Sequence, residues 1–143
     1  MHTFPASASD DAIKKAVVEW SELLAQKRFA DALAMFPPEE PEMSADELAK
    51  WIAGYGCPEP YPDGRIYEVT SLRSLPEFES IFRDRIDVDR QNLYGLNPAH
   101  YVGMVHYDDV PLNGRPSDLT ARFQIRKLSG DRITLEFLDI HVL

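Results

Sequence analysis

Two histidine–aspartate pairs near the end of the chain have a spacing suited to acid–base chemistry. His106 and Asp108 lie two residues apart, and so do Asp139 and His141. Residues two apart on a strand point to the same face of a sheet. A carboxylate beside an imidazole can fix its tautomer and raise its basicity, as a general base requires. The competing interpretation of both pairs is a polar contact at the rim of a sheet.

A turn at Asn113-Gly114 is expected to position the first pair. The dipeptide suits a two-residue type I′ turn, which pairs His106 with Ala121 and turns the histidine toward the apolar face. A slip of the register by one residue would turn Tyr101, Val105 and Tyr107 inward and the histidines toward solvent. The candidate site residues are the catalytic pair His106 and Asp108 and the ligand-binding residues His100, Met104, Tyr107 and Phe123.

The last two strands are expected to position the second pair. Residues 117–127 alternate apolar and polar side chains, which is typical of a strand with one buried face. A three-residue loop at Leu128-Ser129-Gly130 then pairs Ile125 with Ile133, Phe123 with Leu135 and Ala121 with Phe137, and keeps one continuous apolar face.

The final strand changes phase at Phe137-Leu138, as a β-bulge would cause. With the bulge, Asp139 and His141 lie opposite the apolar face; without it they point inward. The alternative to a bulge is a terminal strand buried on both faces.

The motifs predict neither a metal nor a cofactor. Two imidazoles and a carboxylate can hold a divalent ion, but the spacing of these pairs matches no dedicated metal motif. A glycine-rich phosphate loop, a nucleophile elbow and a paired-cysteine spacing are all absent from the sequence.

Composition limits the classes of partner and compartment. The 143 residues suit one domain, 1–143, and the net charge of −9 argues against nucleic acid and leaves room for a basic protein partner. A single cysteine, Cys57, allows no intrachain disulfide, which fits the cytoplasm. No stretch reaches the roughly eighteen apolar residues of a membrane span.

Upstream of the three strands the pattern is mainly helical. Residues 1–8 are expected to be disordered, and Ser9 to cap a long helix that breaks near Gln26–Arg28. A second helix ends at Pro37-Pro38, and a capping box at Ser44–Glu47 opens a third. Further expected elements are a strand over 65–75, a helical turn over 77–82 and a strand over 84–90, although residues 76–96 suit either helix or strand.

Helices first and an antiparallel three-stranded meander last predict an α+β fold, with the helices packed on a curved sheet. The order of elements, with the stretch Arg28 to Leu33, resembles the cystatin-like α+β cone of nuclear transport factor two, the fold of SnoaL-like cyclases and ketosteroid isomerases. The carboxyl half is also similar to small bacterial domains, through Ser44 to Leu48, Gly114 to Thr120 and Asp139 to Leu143. That likeness implies organisation and no activity, and the carboxylates of a ketosteroid isomerase have no counterpart here.

Two functions follow as hypotheses. The first is a non-enzymatic protein that binds a basic protein or a small molecule through its cavity or sheet face; some bacterial members of this fold class are immunity proteins that neutralise a toxin. The second is a pocket enzyme of isomerase, cyclase or dehydratase type that uses His106 and Asp108. The first is preferred because no catalytic constellation is assured. A homodimer is a further expectation, since curved sheets of this fold often pair face to face.

Overall fold

The computed structural model describes residues 1–142, and they form an α+β fold of four helices and five strands. The conformation of Leu143, the last residue of the Asp139 to Leu143 motif, lies outside the described residues. In chain order the elements are β1 (Thr3–Pro5), α1 (Asp10–Ala25), α2 (Phe29–Met35), α3 (Ala45–Ala53), α4 (Phe78–Asp84), β2 (Ile86–Asp89), β3 (Tyr101–Tyr107), β4 (Leu119–Leu128) and β5 (Arg132–Val142).

The strands make one curled antiparallel sheet in the order β1-β5-β4-β3-β2. The three longest strands, β3, β4 and β5, are consecutive in the chain and adjacent in the sheet. Among residues 1–142, no helix combines the length and the apolar character needed to cross a membrane.

The helices begin and end where local chemistry favours it. The Ser9 hydroxyl accepts a hydrogen bond from the Ala12 amide at 3.1 Å and caps α1, and the Ser44 hydroxyl does the same for the Glu47 amide at the start of α3. Lys27 has a left-handed φ of 59° and separates α1 from α2. These boundaries confirm the helices predicted from the sequence.

The interior between α1 and the sheet is filled by aromatic rings. Trp20, Phe36, Phe123 and Phe137 are all fully buried. The Phe123 ring lies 4.9 Å from that of Trp20, 5.6 Å from that of Phe36 and 5.7 Å from that of Phe137, measured between centroids. Such edge-on and tilted contacts are favourable aromatic geometries. The apolar faces of the helices and the sheet therefore meet in a packed core.

The β3–β4 register differs by one residue from the prediction. The turn at Asn113-Gly114 forms, with φ values of 51° and 86°, but the strands pair Tyr107 with Ala121 and His106 with Arg122. Between the Leu112–Arg115 bridge at the turn and the Tyr107–Ala121 pair, four residues (108–111) lie on the β3 side and five (116–120) on the β4 side, so the β4 side holds one extra residue. The preferred register is therefore wrong, and the slip by one residue is observed, with Val105 and Tyr107 turned inward. Tyr101 was expected to turn inward in that register as well, but a register shift between Tyr101 and Gly103 places it opposite Arg126, on the other face.

The β4–β5 hairpin combines a corrected register with a confirmed bulge. Leu128 pairs with Arg132, so the loop is residues 129–131 and the predicted pairing is wrong by two residues; because two is even, the apolar faces still match. Phe123 pairs with Phe137 and Arg122 with Asp139, which leaves Leu138 as the extra residue of a β-bulge. The phase change in the sequence is thus a bulge.

Two segments depart from expectation. Residues Thr3–Pro5, expected to be disordered, form β1, where Phe4 is buried opposite Ile133 and Thr3 pairs with Thr134. Residues 65–75 contain no regular strand and contribute one isolated bridge, from Val69 to Leu112. The helix near 77–82 and the strand near 84–90 are confirmed as α4 and β2.

Two separate segments cover the edge of β5 that faces away from β4. β1 pairs with its first residues, and further along the Phe137 amide donates to the Pro37 carbonyl at 3.0 Å while the Glu39 amide donates to the Phe137 carbonyl at 2.8 Å. The loop between α2 and α3 is therefore tied to β5 through Pro37–Glu39, beside the bulge at Leu138.

Candidate functional site: the outer sheet face and the acidic cleft

Polar side chains occupy the face of the sheet that is opposite Phe123 and Ile125, which we call the outer face. Alternation along the strands assigns to it Asp87, Asp89, Met104, His106, Thr120, Arg122, Gln124, Arg126, Thr134, Glu136, Asp139 and His141. The cross-strand pairs His106–Arg122 and Arg122–Asp139 make one continuous row of ionisable groups.

Arg122, Asp139 and His141 form a hydrogen-bonded cluster on this face. The Arg122 guanidinium donates to both oxygens of the Asp139 carboxylate, at 2.9 and 2.6 Å, and His141 Nδ1 lies 3.0 Å from Asp139 Oδ1. Hydrogen bonding to Asp139 raises the pKa of Arg122. The cluster is half-buried, and contacts with Arg122 and His141 hold the Asp139 carboxylate in place. The bulge places this pair on the outer face, as the bulged alternative predicted.

The other histidine–aspartate pair is divided between different contacts. His106 lies on the outer face between Asp87 and Arg122, and its ring centroid is 6.0 Å from that of Tyr94. Asp108 Oδ1 accepts a hydrogen bond from the Thr120 hydroxyl at 2.9 Å. The prediction that His106 faces a cavity on the apolar side is wrong because of the register slip. A catalytic role for His106 or Asp108 stays a prediction.

The four candidate ligand-binding residues do not come together. Phe123 and Tyr107 are fully buried on the apolar face, where the Tyr107 hydroxyl lies 2.7 Å from Ser21 Oγ. Burial raises the pKa of Tyr107. Met104 is buried on the outer face, and His100 is exposed just before β3. These residues therefore line no shared pocket.

A buried carboxylate anchors the centre of the outer face. Glu136 accepts hydrogen bonds from the Tyr101 hydroxyl at 3.0 Å, from Arg126 Nη1 at 3.0 Å and from the Gln124 side-chain amide. Glu136 is 7% exposed and Gln124 1% exposed. A buried charge is tolerated when it is paired and hydrogen-bonded, so this network fixes side chains on three strands.

A cleft of about 450 Å³ opens where the outer face meets α3 and the loop before it. Its floor is apolar and includes Trp51, Leu138 and Met43. Four carboxylates and one guanidinium also line it: Glu39, Glu40, Glu47, Asp139 and Arg122. We call it the acidic cleft.

Local structure explains how the acidic cleft is built. The backbone bonds of Pro37–Glu39 to β5 hold Glu39 and Glu40 at one rim. The Ser44 cap starts α3 so that Glu47 and Trp51, four residues apart, share a helix face. The bulge at Leu138 forms the opposite wall. The Ser44 cap and the bulge are recognisable in the sequence, but the pairing of Pro37–Glu39 with β5 is not.

The residues around the acidic cleft were not among the predicted site residues, apart from Asp139. The available signal was five acidic residues within Glu39–Glu47, a segment with Lys50 as its first basic residue downstream. Among residues 1–142, no group of three or more histidine, cysteine, aspartate or glutamate side chains is arranged to hold a metal ion.

Comparison of the chain with protein-family models, with curated proteins and with solved structures finds no match.

Proposed function

We propose that this chain is a non-enzymatic binding protein that holds a basic partner protein in the acidic cleft and against the adjoining outer face. The observation that carries the proposal is the acidic cleft itself, in which several carboxylates surround an apolar floor. The binding mode is insertion of a lysine or arginine side chain, whose hydrocarbon stem packs on the floor while its charged head meets the rim.

The charge of the rim supports a cationic occupant. Glu40 and Glu47 are exposed, and none of the ion pairs among residues 1–142 includes Glu39, Glu40 or Glu47. Arg122 is the one basic residue of the lining and is neutralised by Asp139. The net charge of −9 adds a long-range attraction that steers a basic protein toward this surface.

The packed interior favours binding at the surface over chemistry in an enclosed pocket. Trp20, Phe123 and Phe137 occupy the space between α1 and the sheet. The alternative of a pocket enzyme that uses His106 and Asp108 loses the enclosed site on which it was based, since His106 points to the outer face.

Three finer expectations belong to the same proposal. The order of helices and strands supports a cystatin-like cone. The negative charge favours one particular form of binding, the neutralisation of a basic toxin in the cytoplasm. A homodimer would pair through the polar outer face and would therefore compete with the basic partner for that surface. Light scattering of the purified chain tests the dimer, since a monomeric mass at micromolar concentration contradicts it.

A basic amphipathic peptide tests the acidic cleft. We would titrate a fluorescent peptide of alternating lysine and leucine into the wild type and into Glu40→Gln/Glu47→Gln, and measure anisotropy. Removal of two exposed charges is expected to weaken binding about 10-fold, from up to ~1 kcal/mol each. Trp51 is half-buried in the cleft whereas Trp20 is fully buried, so a change in tryptophan emission reports on the cleft.

A matched control separates the cleft from general acidity. Glu19→Gln/Glu77→Gln removes the same charge from α1 and from the residue before α4, at two exposed positions that do not line the cleft. The proposal predicts near-wild-type affinity for this variant. Equal weakening of both double variants would mean that net charge alone attracts the peptide, and the proposal would be wrong. The same pair of variants applies to proteins captured from a lysate.

A further inference from the structure

Three cations meet at a second cleft, at the opposite end of β5 from the acidic cleft. The cleft has a volume of about 460 Å³, and its lining includes the cations Arg90, Lys127 and Arg132 and the apolar residues Val102, Leu128 and Ile133. We call it the basic cleft. In a chain with 15 basic and 24 acidic residues, such a concentration of positive charge is a local exception.

Each cation donates a hydrogen bond to a residue outside the lining of the cleft. Arg90 donates to Asp10 Oδ1 at 3.1 Å and to the Ala8 carbonyl at 2.6 Å. Lys127 Nζ donates to the Pro98 carbonyl at 2.9 Å, and Arg132 Nη2 to the Thr3 hydroxyl at 2.7 Å. A guanidinium has five N–H donors and an ammonium three, so each cation keeps donors for a ligand.

A second β-bulge contributes an apolar side chain to the lining of the basic cleft. The β3–β4 register shifts between Tyr101 and Gly103, which leaves Val102 as the extra residue. Val102 and Leu128, the latter at the end of β4, are half-buried and line the cleft, whereas Ile133, at the start of β5, is only 2% exposed there. The cleft therefore offers a hydrophobic surface beside its positive charges.

We propose that the basic cleft binds a small organic anion: a carboxylate or phosphate group attached to a short apolar body. The anionic group would lie among Arg90, Lys127 and Arg132, and the apolar body would lie on the half-buried Val102 and Leu128. The volume falls within the range of small-molecule sites, roughly 300–1,000 Å³. This site is independent of the acidic cleft and of the function proposed for it.

Charge distribution argues for a small ligand over a nucleic acid. Asp131 also lines the cleft and Arg90 is paired with Asp10, so two of the three positive charges are offset; the whole chain has a net charge of −9. A polyanion would extend beyond the cleft and meet negative surface, because phosphate recognition needs an extended set of cations. A single anionic group meets only the local cations.

Nuclear magnetic resonance titration with three probes tests the proposal. The probes are hexanoate, which has both parts of the ligand, 1-hexanol, which lacks the charge, and inorganic phosphate, which lacks the apolar body. Hexanoate is expected to shift the amide signals of Val102, Leu128 and Ile133 and to bind more tightly than either partial probe. Equal affinity for hexanol, equal affinity for phosphate, no binding of hexanoate, or shifts confined to other regions would each overturn the proposal.

Substitutions at the two exposed cations test the role of charge. Lys127→Gln/Arg132→Gln is expected to weaken hexanoate binding about 10-fold, the sum of two exposed charge contacts. The matched control is Lys50→Gln/Arg115→Gln, which removes the same charge at exposed positions outside the cleft and is expected to keep wild-type affinity. An unchanged affinity in the first variant, or equal losses in both, contradicts the proposal. Retained wild-type chemical shifts elsewhere show that each variant is folded.

Discussion

Replacement of Phe123 by alanine is the sharpest test of the packed interior. Phe123 is fully buried on β4, and its ring contacts those of Trp20, Phe36 and Phe137 at centroid distances of 4.9, 5.6 and 5.7 Å. No other ring of this cluster has contacts with all three partners. Its removal therefore leaves a hole at the centre of the cluster.

The expected cost follows from the burial of the ring. A phenylalanine buries about 150 Å² or more, which at ~25 cal/mol per Å² corresponds to about 4 kcal/mol. This agrees with the roughly 3–5 kcal/mol usual for phenylalanine-to-alanine changes in cores, which includes the cavity term. For a domain of this size the loss lowers Tm by about 10–20 °C. Such a loss is a large part of the roughly 5–15 kcal/mol of a typical domain.

Urea unfolding followed by circular dichroism measures this loss. Phe78→Ala is the matched control, because Phe78 is a half-buried ring on α4 outside the cluster, and its removal is expected to cost about 1–2 kcal/mol. Benzene provides a second readout, since an apolar cavity left by a missing ring stays dry and binds it. Benzene is expected to raise the Tm of Phe123→Ala through ligand linkage and to leave the wild type unchanged.

Three results would refute the reasoning. A loss below about 1 kcal/mol for Phe123→Ala would mean that the ring is not packed as described. Stabilisation of the wild type by benzene would mean that the interior already holds space for a ligand, which would return the enclosed pocket to consideration. Equal losses for Phe123→Ala and Phe78→Ala would contradict the difference in burial.

Further predictions concern the hydrogen bond between Ser21 and Tyr107 and the packing of Gly103. Ser21→Ala leaves the buried Tyr107 hydroxyl without its partner and is expected to cost about 1–3 kcal/mol in urea unfolding, whereas Ser21→Ala/Tyr107→Phe removes both groups and costs less than the sum of the single changes. Burial raises the pKa of Tyr107 above its ordinary value of 10.0, so its contribution to stability is complete below pH 10 and is lost as the pH rises toward the folded pKa. In that range the free energy of unfolding falls by up to about 1.4 kcal/mol per pH unit. Tyr107→Phe is expected to flatten that slope. An unchanged slope would contradict the burial. Gly103→Ala places a Cβ 2.3 Å from the Asp89 carbonyl oxygen and is expected to cost about 1–3 kcal/mol, while a wild-type Tm would contradict this close approach of β2 and β3.

Much of the secondary structure could be predicted because its signals are local. Ser9 and Ser44 mark helix starts through their own hydroxyls, and the alternation along 119–125 marks β4 through side chains two residues apart. The phase change at Phe137-Leu138 was visible for the same reason, because a bulge alters the pattern of its own strand.

The position of the candidate site could not be predicted because it depends on insertions between strands. Asn113-Gly114 forms the expected turn, yet the connection holds one more residue on the β4 side (116–120) than on the β3 side (108–111), and this moves His106 to the outer face. The irregular residues 116–118 have no periodicity from which the extra residue could be read. The acidic cleft likewise requires Pro37–Glu39 to lie beside Leu138, a contact between residues about 100 positions apart that no periodicity records.

The two segments that cover the edge of β5 have a consequence for solubility. An 11-residue strand with an open edge would present a row of free amide and carbonyl groups, the usual template for aggregation through added strands. Thr3–Pro5 and Pro37–Glu39 occupy parts of that edge, and Pro5 and Pro38 cannot themselves donate a backbone hydrogen bond to a further strand. Residues 1–5 therefore protect this edge from pairing with another molecule. A chain shortened at the amino terminus is expected to lose little buried surface but to expose free backbone groups of β5 and to aggregate more readily.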